Sequence, residues 1–423
     1  MLLLKNEHLL LQMNNSIQFS GPLKGLKVID LTTVLMGPYA TQTLADMGAD
    51  VIKVEPPAGD TVRGIGPTHS PGMGHIFLHV NRNKRSIVLD LKKPEGLEAF
   101  YRIAKTADVV VYNIRPQAMR RLGITYERLK AENPKVIYAG IYGFSEEGPY
   151  AGRPAYDDLI QGMCAVPDLV SRSSGGEPRY VPLTLADRTV GLMAANAILA
   201  SVYSRNHTGE GQEVEIPMFE TMVQYVLSDH LSGETFVPPI GPSGYPRLLV
   251  KERKPYRTQD GYLCVLVYND RQWENFLGLI GKSDWLKTDP RFKNIGSRTK
   301  HINELYALVA EAMSTKTNSE WLKLLEDADI PCMPLNTIDS LLDDPHLIQT
   351  GMLETINHPT EGQLRQIGVP VQCSKTKINH LQRPARHLGE DSVDVLLEAG
   401  YSEEQIISLS TVGATRQFTH RVE

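Results

Sequence analysis

Asp187 is the residue whose type and position first suggest chemistry. Residues 181–205 predict a short extended segment and then a helix that starts at about Asp187, because small and apolar residues recur at spacings of three and four from Val190 onward. An aspartate there has two possible roles. It is a favoured N-cap, whose carboxylate accepts the first amide hydrogens of a helix, or it is an ionised carboxylate held in place as a nucleophile. The spacing alone leaves both roles open.

Two groups of basic residues are candidates for anion binding. The first group follows a Gly- and Pro-rich loop at residues 55–77, and the second follows a predicted strand at residues 109–112. Charge runs usually lie on a solvated surface, but the carboxyl ends of strands in an α/β domain are where ligands bind, and arginine suits phosphate. We therefore expect phosphate binding by the first group, which is Arg82, Lys84 and Arg85, and ligand binding near the second, which is Arg115, Arg120 and Arg121.

Composition narrows the class of protein. The chain has 423 residues, 22% of them charged, and a net charge of −5, which is typical of a soluble globular protein of two or three domains. The net charge argues against nucleic acid as the main partner. Four cysteines lie far apart without a CxxC pair, which predicts free thiols in a reducing, cytoplasmic environment and no metal or disulfide framework.

The N-terminal segment is not expected to be a targeting signal. In residues 1–20 a leucine-rich run is interrupted by Lys5, Glu7 and His8, so it matches neither a signal peptide nor a membrane span. We expect no membrane partner, and we expect residues 1–15 to be dispensable for folding and activity.

The elements around the candidate residues predict a parallel sheet. Strands at 28–31 and 51–54 flank a helix at 39–47, which makes a right-handed βαβ unit. Gly37 is the only glycine between the first strand and Pro38. The glycine fingerprint for nicotinamide or flavin dinucleotides is therefore missing. Further strands at 86–89, 109–112 and 136–141 extend the sheet.

Domain organisation is predicted from where the pattern changes. A Pro- and Gly-rich stretch at 238–246 marks a boundary and is also a candidate lid. The expected parts are a large domain at 17–205 completed by 350–423, a linker with a helix at 206–244, a small α+β domain at 245–330 and a return linker at 331–349.

Short stretches in a fixed order carry a resemblance to a known family. They are Asp30-Leu31, Gly37-Pro38, Gly48 to Glu55, Gly59-Asp60 with Arg63, Asn81 to Ser86, Arg115-Pro116, Arg121-Leu122-Gly123, Asn133-Pro134, Gly143-Phe144, Tyr156-Asp157 with Gln161, and Thr208 to Gln212. Over residues 21–410 the chain resembles class III CoA-transferases, the group of formyl-CoA transferase, carnitine CoA-transferase and the α-methylacyl-CoA racemases.

The resemblance implies a fold and a site. The fold is a Rossmann-like large α/β domain, with two ring-like chains interlocked in a homodimer. The catalytic residue is an aspartate in an Asp-x-x-x-Gly context, which Asp187 and Gly191 match. Coenzyme A is implied as a substrate, with no tightly bound cofactor and no metal. Its phosphates would explain the basic residues, and the candidate CoA-binding residues are Val34, Arg82, Lys84, Arg85, Asn113, Arg121, Leu122, Tyr142, Tyr156 and Asp157.

Two departures from the family pattern matter. Pro56-Pro57 stands where some relatives have an arginine, which puts one adenine-side contact in doubt. Tyr156-Asp157 stands where the racemases have a His-Asp pair, and tyrosine, with a pKa near 10, is a poor general base at neutral pH. The transferase interpretation is therefore favoured over a racemase.

The expected activity is transfer of CoA from an acyl-CoA to a free carboxylic acid, through an aspartyl mixed anhydride and an aspartyl-CoA thioester. A small dicarboxylate is the expected acceptor, because arginine and lysine are plentiful near the site. Two alternatives stay open. One is a 2-methylacyl-CoA racemase or epimerase that uses Asp157 or Asp187 for proton exchange, and the other is a CoA-ester-binding protein without turnover.

Overall fold

The structure is a computed structural model that describes residues 20–378 and 382–418. The expectation for residues 1–15 therefore lies outside the described residues. The strands are β1 Lys27–Asp30, β2 Asp50–Glu55, β3 Lys84–Leu89, β4 Val109–Tyr112, β5 Ile137–Tyr142, β6 Glu213–Pro217, β7 Tyr256–Arg257, β8 Tyr262–Val265, β9 Cys332–Pro334, β10 Leu353–His358, β11 Gly362–Ile367 and β12 Thr415–Arg416.

Helices account for most of the remaining structure. Those before the Pro- and Gly-rich stretch are α1 Met36–Asp46, α2 His75–Val80, α3 Pro94–Ala104, α4 Pro116–Leu122, α5 Tyr126–Glu132, α6 Asp157–Met163, α7 Val166–Ser174, α8 Leu185–Thr208 and α9 Met218–His230. Those after it are α10 Pro246–Leu249, α11 Asp270–Leu279, α12 Trp285–Thr288, α13 Ile295–Lys300, α14 Ile302–Met313, α15 Asn318–Asp327, α16 Ile338–Leu341, α17 Pro345–Gln349, α18 Ser392–Glu398 and α19 Glu403–Thr411.

The expected large, mostly parallel α/β sheet is confirmed. Its seven strands lie in the order β12-β3-β2-β1-β4-β5-β6, and every pairing is parallel except that of β12 with β3. Apart from β12 this is the Rossmann order, in which the chain reverses direction across the sheet between β1 and β4. Ligands bind at the carboxyl ends of the strands beside such a switch point.

Apolar side chains bury the sheet. The strands contribute Ile29, Ile52, Ile87 and Val110 to one core, where Phe100 of α3 packs with them. Such continuous apolar strands are typical of a parallel sheet covered by helices.

A close approach of two helices fixes the start of α8. A Cβ atom added at Gly191 would lie 2.8 Å from the carbonyl oxygen of Met36 and 3.1 Å from Cδ1 of Tyr39. Only glycine therefore allows α8 to lie this close to α1. This contact explains in physical terms why a glycine follows Asp187 by four residues.

The chain forms two compact units, whose limits differ from the expected domains. Of the described residues, the first unit contains 20–160, 183–222, 346–378 and 382–418, and the second contains 161–182 and 223–345. Residues 213–217 belong to the first because β6 pairs with β5, so the expected linker at 206–244 begins inside the large sheet. Residues 161–182, expected in the large domain, belong to the second unit.

The second unit has its own small sheet and core. Strands β7, β8 and β9 pair antiparallel, and Trp273, Phe276 and Trp321 are buried beside them. This is the α+β character expected for residues 245–330.

Among the described residues, one helix is long and apolar enough to cross a membrane by length and composition alone, and it is α8. It is also a core helix of the first unit, with Val190, Ala194 and Ile198 fully buried. Core helices of this composition commonly meet the same criterion.

Candidate active site

A cavity of about 250 Å³ brings together five of the eleven candidate site residues. It contains the candidate nucleophile and four of the candidate CoA-binding residues. Its lining consists of Thr33, Val34, Leu35, Met36, Asn113, Arg115, Tyr142, Gly143, Arg153, Pro154, Ala155, Tyr156, Asp187 and Met218. We call it the Asp187 cavity.

The sheet explains why these residues meet. Thr33 and Val34 follow β1, Asn113 follows β4, and Tyr142 ends β5. These three strands are neighbours, and their carboxyl ends share one edge of the sheet at the switch point. Residues distant in sequence are thereby brought to one place.

The loop after β1 is held in a strained conformation. Val34 has a φ of 70°, which is rare for a β-branched residue and costs about 1–3 kcal/mol. Three side-chain hydrogen bonds hold the loop. Asn113 accepts from the Thr33 amide at 2.9 Å and donates to the Thr33 carbonyl at 2.8 Å, and the Val34 amide donates to Asp60 at 3.1 Å. Asn113 therefore positions the loop as well as lining the cavity.

Buried ion pairs beside this loop hold it in place. Lys53 donates to the carbonyl of Thr32 at 2.8 Å and to Asp60 at 2.9 Å. Lys84 donates to Asp30 at 2.9 Å. Burial alone would raise the pKa of Asp30, but Lys84 and Lys53 hold it below its usual range. Burial also lowers the pKa of Lys84 to about 8, in spite of Asp30.

The expectation that Arg82, Lys84 and Arg85 bind phosphate is wrong in this structure. Strand β3 begins at Lys84, two residues earlier than predicted, so Lys84 and Arg85 lie in the sheet and Arg82 lies just before it. Arg82 pairs with Asp46 at 2.7 Å, and Arg85 pairs with Asp50 at 2.5 Å. All three are buried, and none of them lines the Asp187 cavity.

Asp187 does not cap its helix. Helix α8 begins at Leu185 after Thr184, which makes Asp187 the third residue of the first turn. The cap is supplied from α6, because Oδ1 of Asp157 accepts a hydrogen bond of 2.9 Å from the Asp187 amide. The N-cap role considered for Asp187 thus belongs to Asp157, and the Asp187 carboxylate is left for the cavity.

The Asp187 carboxyl group titrates near neutrality. Partial burial, and then the negative charge of Asp157, raise its pKa to about 7. Asp158 acts in the same direction, and Arg188 opposes them. Strongly shifted carboxyl groups in a cavity are typical of catalytic residues. A carboxylate that is poorly solvated is also a better nucleophile.

Tyr156 and Tyr142 line the cavity in different ways. The Tyr156 side chain is 67% exposed, whereas Tyr142 is buried and donates a hydrogen bond of 3.1 Å to Glu215. Burial and nearby acidic groups raise the pKa of Tyr142, so it remains protonated. The Tyr142 hydroxyl group is therefore not a base at neutral pH.

Two arginines supply positive charge to the cavity. Arg115 contacts the carbonyl oxygen of Gly152 at 3.4 Å, and the Arg153 guanidinium lies 4.7 Å from the centre of the Tyr150 ring. Both arginines are exposed. Arg153 was missed in the sequence, although its place in the Gly-Pro loop before Tyr156 was a usable signal.

Arg121 and Leu122 lie outside the cavity lining. Both are at the end of α4, where Arg121 is exposed. The expected ligand, CoA, is far longer than a cavity of this size, so its nucleotide end would extend beyond the cavity. Arg121 and Leu122 remain candidates for that end.

The chemistry of the site rests on carboxylate and guanidinium groups. Within residues 20–378 and 382–418, no cluster of three or more His, Cys, Asp or Glu side chains could hold a metal ion. The arrangement provides one carboxylate as a candidate nucleophile, a source of positive charge and a loop held by hydrogen bonds.

Comparison with known proteins identifies the class. Residues 23–392 match the model of CoA-transferase family III. The chain belongs to CoA-transferase family III and is an enzyme that uses CoA thioesters. This confirms the resemblance seen in the sequence motifs.

Related proteins are similar to this chain over nearly its whole length. An acyl-CoA transferase of Fusarium pseudograminearum is 35% identical over 399 residues, which cover 91% of this chain and 86% of the relative. A succinate–glutarate CoA-transferase of Agrobacterium fabrum is 32% identical over 389 residues, which cover 89% of this chain and 95% of the relative. The crystal structure of a CAIB/BAIF family protein from Brucella suis matches this chain with a TM-score of 0.74 and 32% sequence identity. The match covers 90% of this chain and 100% of the Brucella chain.

Proposed function

We propose that this chain transfers CoA from an acyl-CoA donor to a dicarboxylic acid, with Asp187 as the covalent nucleophile. One observation carries the proposal. The Asp187 carboxyl group, with its pKa raised to about 7, lies in a cavity at the switch point of the sheet, beside Arg115 and Arg153.

The first half-reaction moves CoA onto the enzyme. An oxygen of Asp187 attacks the thioester carbonyl carbon, the carbon–sulfur bond breaks, and CoA leaves as a thiolate. The thiolate then attacks the Asp187 carbonyl carbon of the mixed anhydride. The donor acid leaves as a carboxylate, and Asp187 is left as a CoA thioester. No proton or external energy source is needed.

The second half-reaction repeats these steps in reverse with the acceptor. Its carboxylate attacks the Asp187 thioester, and the released thiolate attacks the acceptor carbonyl of the new anhydride. Asp187 is regenerated as a carboxylate. Arg115 and Arg153 would stabilise the negative charge that develops at these carbonyl oxygens or on the thiolate.

A dicarboxylic acceptor is supported by chemistry and by a relative. The name of the Agrobacterium enzyme describes an activity on succinate and glutarate. Positive charge beside the nucleophile suits acids that carry a second negative charge.

The experiment is a panel of acceptor acids with succinyl-CoA or acetyl-CoA as donor, and products identified by mass. We expect new CoA esters of dicarboxylic acids. Deuterium entering the α-position from solvent without transfer would instead indicate a racemase. Tight CoA binding with neither result would indicate a binding protein.

We also propose that the enzyme is an interlocked homodimer. Large apolar side chains are exposed on the single chain, including Val237 at 96%, Ile338 at 83% and Ile240 at 74%, and such surfaces usually mark an interface. Light scattering should give twice the chain mass at micromolar concentration. An active monomer would contradict this proposal.

The proposed compartment is the cytoplasm. The four cysteines, Cys164, Cys264, Cys332 and Cys373, are all free thiols in the structure, which suits a reducing environment. Imaging of a tagged chain would test this directly.

A further inference from the structure

A second cavity adjoins the first turn of α8 in the same unit. It measures about 490 Å³ and is lined by Tyr39, His79, Arg82, Arg188 and Leu192, together with residues of the segment 352–371. We call it the Arg188 cavity. Most of its lining is apolar, with Met352, Ile367 and Val371 among its walls.

The two cavities share two helices. Met36 of α1 and Asp187 of α8 line the first, whereas Tyr39 of α1 and Arg188 of α8 line the second. Asp187 and Arg188 are consecutive, so their Cα atoms are only about 3.8 Å apart. The nucleophile and the guanidinium group therefore project from one turn of the same helix.

Arg188 differs from the other arginine of this cavity. Arg82 is neutralised by Asp46, at 2.7 Å. Arg188 is partly buried and lies over the Tyr39 ring, 4.4 Å from its centre, and it forms no ion pair with any described residue. The charge of Asp187 offsets part of the cost of burying Arg188, but without an ion pair the guanidinium group keeps N–H donors that an anion in this cavity can accept from.

His79 adds a hydrogen-bond donor to the cavity. It is partly buried, and burial followed by the charges of Arg82, His75 and Arg188 lowers its pKa. A neutral imidazole beside a guanidinium group can donate a hydrogen bond to a carboxylate. Apolar walls with positive polar groups at one point suit an aliphatic chain that ends in a carboxylate.

We infer that Arg188, aided by His79, binds the distal carboxylate of a dicarboxylic acid whose other carboxyl group reacts at Asp187. This rests on the proposed function and names the residue that sets its acceptor class. Arg188 would thus distinguish dicarboxylic from monocarboxylic acids of the same length.

The test uses acetyl-CoA as donor, because its acyl group has no distal carboxylate. Glutarate and pentanoate, which have equal chain lengths, are the two acceptors. Arg188→Met should lower the ratio of kcat/KM for glutarate to that for pentanoate by about 10- to 100-fold, the value of one charge-assisted contact. Arg188→Lys should restore part of the ratio, since it keeps the charge without the planar fork.

Arg128→Met is the matched control, since Arg128 also stacks on a tyrosine, 3.9 Å from the centre of the Tyr101 ring, and it lines neither cavity. It should leave the ratio unchanged. Equal losses for both acids in Arg188→Met would make Arg188 structural and overturn the inference, as would an unchanged ratio. A rise in KM for acetyl-CoA alone would assign the cavity to CoA. If the wild-type enzyme transferred CoA to neither acid, the proposed function itself would fail.

Discussion

Two sets of basic residues in the first unit differ completely in their surroundings. Arg82, Lys84 and Arg85 are buried, and each is paired with an aspartate. Arg115 and Arg153 are exposed in loops after β4 and β5 and line the Asp187 cavity. The difference shows that the position of a cation relative to the sheet, not its presence, decides whether it can meet a ligand.

The buried region has a structural role with a functional consequence. Lys84 pairs with Asp30, which also accepts a hydrogen bond of 2.9 Å from the Thr32 amide at the start of the loop that carries Val34. The exposed region is free to contact substrate. The variants below test this division, from the largest expected effect to the smallest.

Lys84→Met should give the largest loss of stability. Asp30 would be left buried without its partner, and breaking a buried pair from one side typically costs about 3–5 kcal/mol of unfolding free energy. Urea denaturation would measure the loss. Lys92→Met, which removes an exposed lysine, is the control and should change little. A small loss for Lys84→Met would mean that the buried region is not structural.

Arg153→Ala should affect catalysis and leave the fold intact. Loss of one charge-assisted contact costs about 1.5–3 kcal/mol, so kcat/KM for the acyl-CoA should fall by about 10- to 100-fold. Because Arg153 is exposed, the unfolding free energy should change by less than about 0.5 kcal/mol. An Arg153→Ala variant with normal kinetics would remove this residue from the site.

Asp187→Asn should make the protein more stable at high pH. The folded-state pKa of Asp187 is raised to about 7 from 3.8, so the folded state holds a proton that the unfolded state has lost. The wild type therefore loses stability as pH rises from about 4 to 7, and the variant does not. Allowing for partial exposure, the variant should gain about 1–2 kcal/mol relative to wild type between pH 5 and pH 8. Urea midpoints at both pH values would measure this, and an equal difference at both would contradict the raised pKa.

Arg121→Ala should give the smallest effect. An exposed arginine that contacts a phosphate in solvent contributes up to about 1 kcal/mol, which corresponds to about a fivefold rise in KM for the donor. KM for the acceptor acid should not change. If kcat fell while KM for the donor stayed constant, Arg121 would belong to the chemistry instead.

The sequence was informative wherever local pattern decides structure. Apolar runs ended by glycine and proline located the strands of the sheet, and motif order located Asp187 and Gly191. The sites at Val34, Asn113 and Tyr142 followed from the family resemblance, and parallel strands do bring them to one edge.

The features of the site that the sequence did not predict depend on contacts between residues distant in sequence. Nothing in residues 82–85 reveals that Asp46, Asp50 and Asp30 would neutralise them, because those partners lie on other elements. The hydrogen bond from the Asp187 amide to Asp157 spans 30 residues, so local spacing alone could not decide between the two roles of Asp187. Tertiary contacts, not local sequence preferences, therefore determine both the ion pairs of residues 82–85 and the partner of the Asp187 amide.

The central claim is that Asp187 forms a covalent bond with the transferred group. Incubating the enzyme with acyl-CoA and hydroxylamine, followed by peptide mass analysis, tests it most directly. The account predicts inactivation and a modified Asp187, and an Asp187→Asn variant that folds, lacks turnover and stays unmodified. Modification at Asp157 or Asp158, or exchange of CoA between acids with no modified residue, would contradict it.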